Sequence, residues 1–195
     1  GRELTLSDAE AIVVGHGKTL TIQDVRLDKL GGTSSAYPNN IRCLGSDSKV
    51  IFRNVEAVLE SSFSFTVGAI DVEHDFSIDG FGKTFAYSSA SNLTVKSRSM
   101  LMLDRGVTFS YDSSSAANDK LVFEDSSSTL KMFGSTLYST HTGVSLSTGR
   151  LEVNDLCIFE SEADNSAEAM IINTDLDVRV RAGAALDMRG MIVYE

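Results

Sequence analysis

The sequence predicts an all-β protein: a single-stranded parallel β-helix (β-solenoid) of about seven coils, with three short strands per coil. Three observations lead to this prediction. Apolar and polar residues alternate with the period of a strand almost throughout, and helical spacing is nearly absent. The composition combines many Ser, Gly and β-branched residues with one Pro and no Trp, which favours strands and tight turns. Short strands also recur in a fixed order at regular intervals.

The most regular strand, termed C, follows a turn and has the pattern apolar-x-apolar. It recurs with a mean spacing of about 26 residues, within the range of solenoid repeats. Its first residues are Leu20, Val50, Ile70, Leu101, Leu130, Leu151 and Val178. We expect these seven residues to stack inside one parallel sheet, because each has the same place in its coil.

Each C strand is followed by a strand termed A and preceded by a strand termed B. The A strands begin near Val25, Val55, Phe76, Val107, Leu137, Leu156 and Leu186, and the B strands centre on Val13, Arg42, Thr66, Thr94, Val122, Ser145, Ile171 and Val193. An unvarying B–C–A order is typical of a parallel β-helix, in which each repeat forms one coil. The segment 85–87 is predicted to be an extra strand between coils three and four.

The turn from C to A contains a residue type that tolerates the left-handed backbone region. The residues at this position are Asp24, Asn54, His74, Arg105, Gly134, Asp155 and Ala182, and five of these seven are Asn, Asp, His or Gly. A right-angle corner needs one such residue. We therefore expect Asn54 and His74 to be corner residues and not ligands.

Length and charge limit the classes of function. The chain of 195 residues is expected to form one domain, 1–195, uncapped at both ends. A net charge of −10 gives no overall attraction to nucleic acid or anionic lipid. No apolar run approaches the ~18 residues of a membrane-spanning helix, and no signal peptide is visible, so the start is expected to be processed or cut.

Two tripeptides resemble motifs of the polygalacturonases, Gly15-His16-Gly17 and Asn173-Thr174-Asp175. Their order along the chain is the reverse of that in the family, and the Asp-Asp and Arg-Ile-Lys motifs are absent. We expect both tripeptides to lie at the same B-to-C corner in coils six apart, a separation of about 29 Å. Two hydrolytic carboxyl groups must lie within ~5–10 Å, so the sequence predicts corners and no enzyme.

Metal, cofactor and disulfide chemistry is also not predicted. His16, His74 and His141 fall in different coils without ligand spacing, and no cofactor motif is present. Cys43 and Cys157 fall in coils two and six, beyond the ~7 Å limit between Cα atoms for a disulfide. We expect both thiols to be free and Cys43 to be buried.

Two surface features leave alternatives open. Asp177, Arg179 and Arg181 alternate beside Arg150 and Glu152, either as a site for an acidic or sugar ligand or as a solvated salt-bridge ladder. We expect the long inserts at 28–40, 79–92, 112–120 and 160–168 all to lie at the A-to-B corner. Either they form a binding ridge along the solenoid, or this corner merely tolerates insertions. Thr19 with Thr21 and Thr140 with Thr142 are the two Thr-x-Thr pairs of the sequence, too few to form the flat rows of an ice-binding face.

A resemblance extends over most of the chain. The segments NIRCLGSDSKVIFRNVEAV, GKTFAYSSASNLTV and RGVTFSYDSS resemble uncharacterised repeat β-solenoid proteins of bacteria that live inside other cells. More broadly they resemble the passenger regions of polymorphic outer-membrane proteins and filamentous adhesins. The resemblance implies export and an extracellular or cell-surface role, and it transfers no catalytic residue.

Three functional hypotheses follow. The chain is a non-catalytic structural or adhesive solenoid, a carbohydrate-binding or carbohydrate-cleaving β-helix, or a fragment of a longer passenger. Strand-like sequence at 4–6 and 191–194, without a capping segment, predicts one of two outcomes: further coils in a longer parent chain, or head-to-tail stacking of copies of the chain. Host or cell-surface glycans are the other partners that these hypotheses imply.

Overall fold

A computed structural model describes residues 2–7, 11–32, 39–111, 120–140, 145–164 and 169–194. These residues form parallel strands and no helix, stacked into a β-solenoid of about seven turns. The predicted fold class is confirmed. The strands are β1 (Arg2–Thr5), β2 (Ile12–Val14), β3 (Thr19–Leu30), β4 (Ile41–Cys43), β5 (Lys49–Leu59), β6 (Phe63–Phe65), β7 (Ala69–Asp79), β8 (Thr84–Tyr87), β9 (Leu93–Val95), β10 (Met100–Asp104), β11 (Thr108–Tyr111), β12 (Leu121–Phe123), β13 (Thr129–Phe133), β14 (Thr136–Ser139), β15 (Ser145–Leu146), β16 (Arg150–Asn154), β17 (Leu156–Ser161), β18 (Met170–Ile172), β19 (Asp177–Val180), β20 (Ala185–Gly190) and β21 (Ile192–Tyr194).

Three parallel sheets run along the solenoid. Sheet 1 contains the first halves of β3, β5 and β7, then β9, β12, β15, β18 and β21. Sheet 2 contains β1, the second halves of β3, β5 and β7, then β10, β13, β16 and β19. Sheet 3 contains β6, β8, β11, β14, β17 and β20, and the pair β2–β4 precedes it in the same place in the coil. The chain visits sheets 1, 2 and 3 in that order in every coil.

The tight corners use left-handed residues, as predicted. The φ angle is 54° at Asp24, 52° at Asn54 and 61° at His74, where β3, β5 and β7 bend from sheet 1 into sheet 2. Arg105 and Asp155 have φ angles of 52° and 77°. Gly134 also has a positive φ, and the seventh corner uses Gly183 in place of Ala182.

The seven predicted C strands are hydrogen-bonded into one parallel sheet, as expected, because β3, β5 and β7 run through both sheet 1 and sheet 2. Their first residues do not form one column, so the predicted stacking is wrong. Leu20, Val50 and Ile70 stack in sheet 1, but Leu101 pairs with Phe76 in sheet 2. The later members Leu130, Leu151 and Val178 continue the Leu101 row, and Val178 is 44% exposed.

The physical reason is that the tight corner changes place along the chain. In the first three coils it joins sheets 1 and 2, at residues such as Asn54. From Arg105 onward it joins sheets 2 and 3. The strand β8, predicted to be extra, is a full member of sheet 3 between β6 and β11. Because the apolar-x-apolar pattern is the same in all three sheets, it does not reveal this shift.

The shared corner predicted for the long inserts is also wrong. The connection containing 28–40 joins sheet 2 to β4, whereas those containing 112–120 and 160–168 join sheet 3 to sheet 1. The segment 79–92 contains β8 itself. Residues 33–38, 112–119 and 165–168 of these inserts lie outside the described residues.

Register aligns apolar side chains into interior rows, one residue per coil. Phe63, Phe85 and Phe109 occupy equivalent positions in sheet 3 and are at most 2% exposed. The rings of Phe85 and Phe109 stack with centroids 5.6 Å apart, and Phe76 of sheet 2 meets Phe85 edge-on at 6.4 Å. Such pairs contribute beyond their buried area, so the aromatic cluster ties the central coils together.

Both cysteines lie in this interior. Cys43 and Cys157 are buried and free, in agreement with the prediction for both thiols. Burial raises the pKa of the Cys43 thiol, because the thiolate is disfavoured away from water.

Replacement of Phe85 by Ala should lower the free energy of unfolding by about 3–5 kcal/mol, because it leaves a cavity between the rings of Phe63 and Phe109. Phe81→Ala is the matched control, since the Phe81 ring is half exposed, and it should cost less than about 1 kcal/mol. Urea denaturation followed by circular dichroism measures both. Equal losses for the two variants would contradict the described interior.

Candidate functional site

The two tripeptides that resemble hydrolase motifs lie at different corners. Gly15-His16-Gly17 lies between β2 and β3, where sheet 3 meets sheet 1. Asn173-Thr174-Asp175 lies between β18 and β19, where sheet 1 meets sheet 2. The predicted common corner is therefore wrong, for the same reason as the C-strand column. The prediction that the tripeptides lie in coils six apart agrees with the strand order.

The contacts of both tripeptides are local. His16 Nδ1 lies 3.9 Å from Asp47 Oδ1 on the next coil, and both side chains are largely exposed. Asn173 Oδ1 accepts hydrogen bonds from the Thr174 hydroxyl (3.3 Å) and the Asp175 backbone N–H (3.2 Å). An Asn side chain that accepts from the residue two positions later is typical of a turn.

The remaining histidines do not form a metal site with these residues. His74 is a left-handed corner residue whose backbone N–H donates to Ser99 Oγ at 2.9 Å. His141 lies outside the described residues. Among the described residues, no group of three or more His, Cys, Asp or Glu side chains has the arrangement of a metal site.

His16→Ala and Asp175→Ala should change nothing except local stability, because each side chain makes only corner contacts. The measurement is release of reducing ends from polygalacturonate by the wild type and the two variants. We expect no release above the buffer blank from any of the three. Cleavage by the wild type that either substitution abolishes would contradict the corner assignment.

The charged residues on sheet 2 form a salt-bridge ladder. Arg150 Nε lies 3.2 Å from Asp177 Oδ2, and Arg179 Nη2 lies 2.8 Å from the same oxygen. Glu152 is flanked by Arg150 at 3.9 Å and by Lys131 at 3.8 Å. Hydrogen bonds from Arg179 and Arg150 hold the pKa of Asp177 below its usual range, and the bond from Arg179 has the larger effect. Of the two predicted alternatives, the ladder is the arrangement observed.

A second ladder, on sheet 1, was not predicted. Arg53 donates through Nε to Glu73 Oε2 at 2.9 Å and reaches Gln23 Oε1 at 3.2 Å. Lys96 Nζ donates to Glu124 Oε1 at 3.2 Å in the following coils. Each member directly follows an apolar-x-apolar strand, but Lys96 and Glu124 follow strands predicted as B whereas Arg53 and Glu73 follow strands predicted as C, so the continuity of the row was not apparent.

One acidic side chain is buried at the corner between sheets 2 and 3. Asp79 is 6% exposed, and its carboxylate lies 3.3 Å from Arg105 Nε. Burial raises the pKa of Asp79, and the charge of Arg105 opposes this increase. Arg105 also lies over the Phe81 ring, 4.9 Å from its centroid. The arrangement neutralises a buried charge and covers an exposed ring, which stabilises the corner.

The outer face of sheet 3 carries a row of hydroxyl groups. Thr84, Thr108 and Thr136 are in register on successive coils, and their hydroxyls accept or donate no hydrogen bond within the described residues. They line a shallow groove that continues along the face to Glu160 and Arg189. A Thr-x-Thr pattern within one strand does not reveal this row, because these threonines align between strands.

Tyr138 stands in the middle of the same groove. Its hydroxyl donates to Glu162, which raises the pKa of Tyr138 to about 12, with smaller contributions from burial and from the charges of Glu162 and Glu160. The phenol of Tyr138 therefore stays neutral. The groove thus presents hydroxyl groups and one aromatic ring, with the charged side chains of Glu160 and Arg189 at one end.

The C-terminal end surface, formed by β19, β20 and β21, exposes several large apolar side chains. Val178, Val180 and Met188 are 44%, 50% and 53% exposed, and Tyr194 is 73% exposed. Val178 and Met188 line a cavity of about 350 Å³ together with Ile192. By register these side chains continue the interior rows of sheets 1, 2 and 3, and each strand has one edge without a pairing strand among the described residues.

The N-terminal end surface is formed by β1, β2 and the first half of β3. Leu4 is 41% exposed and lies in register with the fully buried Leu27. Ile12 and Leu20 are partly buried against the core. Each of these strands also has one edge without a pairing strand among the described residues, so the two end surfaces present the same three sheets.

Comparison with known proteins found no match to a family model, to a curated protein or to a solved structure. Among the described residues, the search for a helix of sufficient length and hydropathy to cross a membrane found none. The assignment of function therefore rests on the surfaces described above.

Proposed function

We propose that this chain is a non-catalytic structural β-solenoid, secreted or displayed on a bacterial cell surface, whose copies stack head to tail into a rod or fibre. The observation that carries the proposal is the C-terminal end surface, where interior rows such as that of Val153 continue into the exposed Val180. The resemblance to passenger regions and filamentous adhesins supports the extracellular placement.

The order of the strands makes the two end surfaces complementary. The last coil runs through sheet 2, sheet 3 and sheet 1 as β19, β20 and β21. The first coil runs through the same sheets in the same order and direction as β1, β2 and β3. A second copy placed on the C-terminal end surface therefore supplies the next strand of every sheet.

The apolar groups give the contact its driving force. Burial of an apolar side chain contributes roughly 25 cal/mol per Å² removed from water, and the exposed interior-row residues of both ends are covered together. Pairing of three strand edges also satisfies backbone N–H and C=O groups that otherwise bond to water. A contact of this kind is heterologous and propagates into a filament unless its rotation closes a ring.

Ile192→Lys should abolish concentration-dependent association, because it places a charge in the interior row of β21. Val193→Lys is the matched control on the same strand, since residue 193 faces outward and the Lys side chain remains in water. Light scattering against protein concentration measures the effect. Val180→Lys, at a half-exposed position of β19, provides a second variant if Ile192→Lys impairs folding.

Two results would contradict the proposal. The first is a wild-type chain that stays monomeric at about millimolar concentration. Its dissociation constant for stacking would then exceed about 1 mM, which is too weak to form a fibre. Association that survives both Ile192→Lys and Val180→Lys, with native circular dichroism, would place the contact elsewhere on the molecule.

Carbohydrate binding is a second candidate function, and the groove on sheet 3 favours it. The ring of Tyr138 and the hydroxyls of Thr84, Thr108 and Thr136, which have no hydrogen-bond partner among the described residues, suit a linear glycan. Such a ligand needs hydrogen-bond partners and an aromatic surface. Host or cell-surface glycans would supply such a ligand.

If this second function holds, the double variant Thr108→Val with Tyr138→Ala should bind the glycan that retains the wild type about tenfold or more weakly. Retention on a column of that glycan measures the loss. The control is Ile51→Ala on the outer face of sheet 1, which leaves the groove unchanged. The wild type should also be screened on columns of neutral and acidic polysaccharides. Failure of every column to retain the wild type would contradict glycan binding.

A further inference from the structure

The outer face of sheet 3 carries a second row of side chains beside the threonine row. Strand register aligns Ser110, Tyr138, Glu160 and Arg189 on successive coils, and all four line the groove. Adjacent strands are ~4.8 Å apart, a spacing comparable to the length of one pyranose unit. A linear glycan that lies along this row therefore presents successive sugars to successive coils.

Ser110 is the most deeply buried of the residues that line the groove. It is 9% exposed, and its hydroxyl has no hydrogen-bond partner among the described residues. A hydroxyl that is buried to this extent is costly unless a ligand or water satisfies it. The groove thus contains a polar group that a bound sugar can satisfy, in addition to the threonine hydroxyls.

Glu160 is an acidic member of the row that has no ion pair among the described residues. Its register partner is Arg189, but Arg189 donates through Nε to Asp187 Oδ2 at 2.8 Å instead. On the preceding coil, the Tyr138 hydroxyl donates to a further carboxylate, that of Glu162. Three carboxylates and one guanidinium therefore surround this part of the groove, which gives it a net charge of −2.

We infer that the groove binds a glycan that carries primary ammonium groups, with one ammonium held by the Glu160 carboxylate beside the Tyr138 ring. This inference rests on carbohydrate binding, the second candidate function. A carboxylate accepts a charge-assisted hydrogen bond from an ammonium, and the face of an aromatic ring attracts the same cation. The two residues are register neighbours on adjacent coils, so one ligand group reaches both.

Other classes of ligand fit the groove less well. The net negative charge around Glu160 repels an acidic glycan. A neutral glycan can donate a hydroxyl to Glu160, but it gains neither the attraction between charges nor the contact of a cation with the ring. A cationic peptide gains both of these. However, β14 already pairs with β11 and β17, so a peptide cannot add a strand here, and it leaves the hydroxyl row unused.

Three hexasaccharides with the same β-1,4 linkage test this inference. They are the hexamers of glucosamine, N-acetylglucosamine and glucose, which differ only in the substituent at C2. We expect the glucosamine hexamer to bind about tenfold or more tightly than the other two at about pH 5.5, where the amine and the carboxylate are both charged. Isothermal titration calorimetry in about 50 mM salt, where screening is modest, measures the three dissociation constants.

Glu160→Gln should weaken binding of the glucosamine hexamer about tenfold, because an amide of the same shape carries no charge. It should change the binding of the other two hexamers by less than about twofold. Glu152→Gln is the matched control, since it removes the same charge from the outer face of sheet 2, and it should change none of the three constants. Circular dichroism checks that both variants are folded.

Equal dissociation constants for the three hexamers, or an equal loss for all three in Glu160→Gln, would overturn the cation preference and leave glycan binding intact. A lysine hexapeptide that binds as tightly as the glucosamine hexamer, and loses affinity equally in Glu160→Gln, would replace the glycan by a cationic peptide.

The glucosamine hexamer extends the column screen to basic glycans. A glucosamine hexamer that does not bind, while a column of the screen retains the wild type, would overturn the cation preference alone. If neither experiment shows binding, the second candidate function fails together with this inference.

Discussion

The interaction on which this structure depends is parallel pairing, in constant register, between equivalent strands of successive coils. Register places Val50 on Leu20 and Ile70 on Val50, so each interior position is filled by a column of apolar side chains. The same pairing aligns the exterior, where Glu152 meets Lys131 and Thr108 meets Thr84. One-dimensional order of this kind makes each coil depend only on its two neighbours.

A consequence is that the two ends of a solenoid differ from its middle. In the central coils, Phe85 is covered from above and below by other rings. In the last described coil, Val180 pairs with Val153 in an interior row and is half exposed. Under the proposed stacking, a coil of a second copy covers this end surface and gains the burial that Phe85 already has. Surface features along the sides, such as the groove at Tyr138, remain accessible in such a stack.

The sequence was sufficient for the fold class and for the individual corners, since both depend on local properties. Asn54 and His74 were identified as corners because few residue types tolerate a left-handed backbone, and the structure agrees. The assignment of strands to sheets failed beyond coil three, because Ile70 and Leu101 have the same local pattern but lie in different sheets. Features that depend on alignment between distant coils were missed for the same reason, and the threonine row at Thr108 is one example.

The most direct measurement of the central claim is small-angle X-ray scattering over a concentration series. Coil-on-coil stacking predicts a cross-sectional radius of gyration that stays constant while the particle length grows in steps of about 34 Å, which is seven coils at a rise of ~4.8 Å. A cross-section that widens with concentration would show side-by-side association and contradict the account, as would a particle whose length does not change.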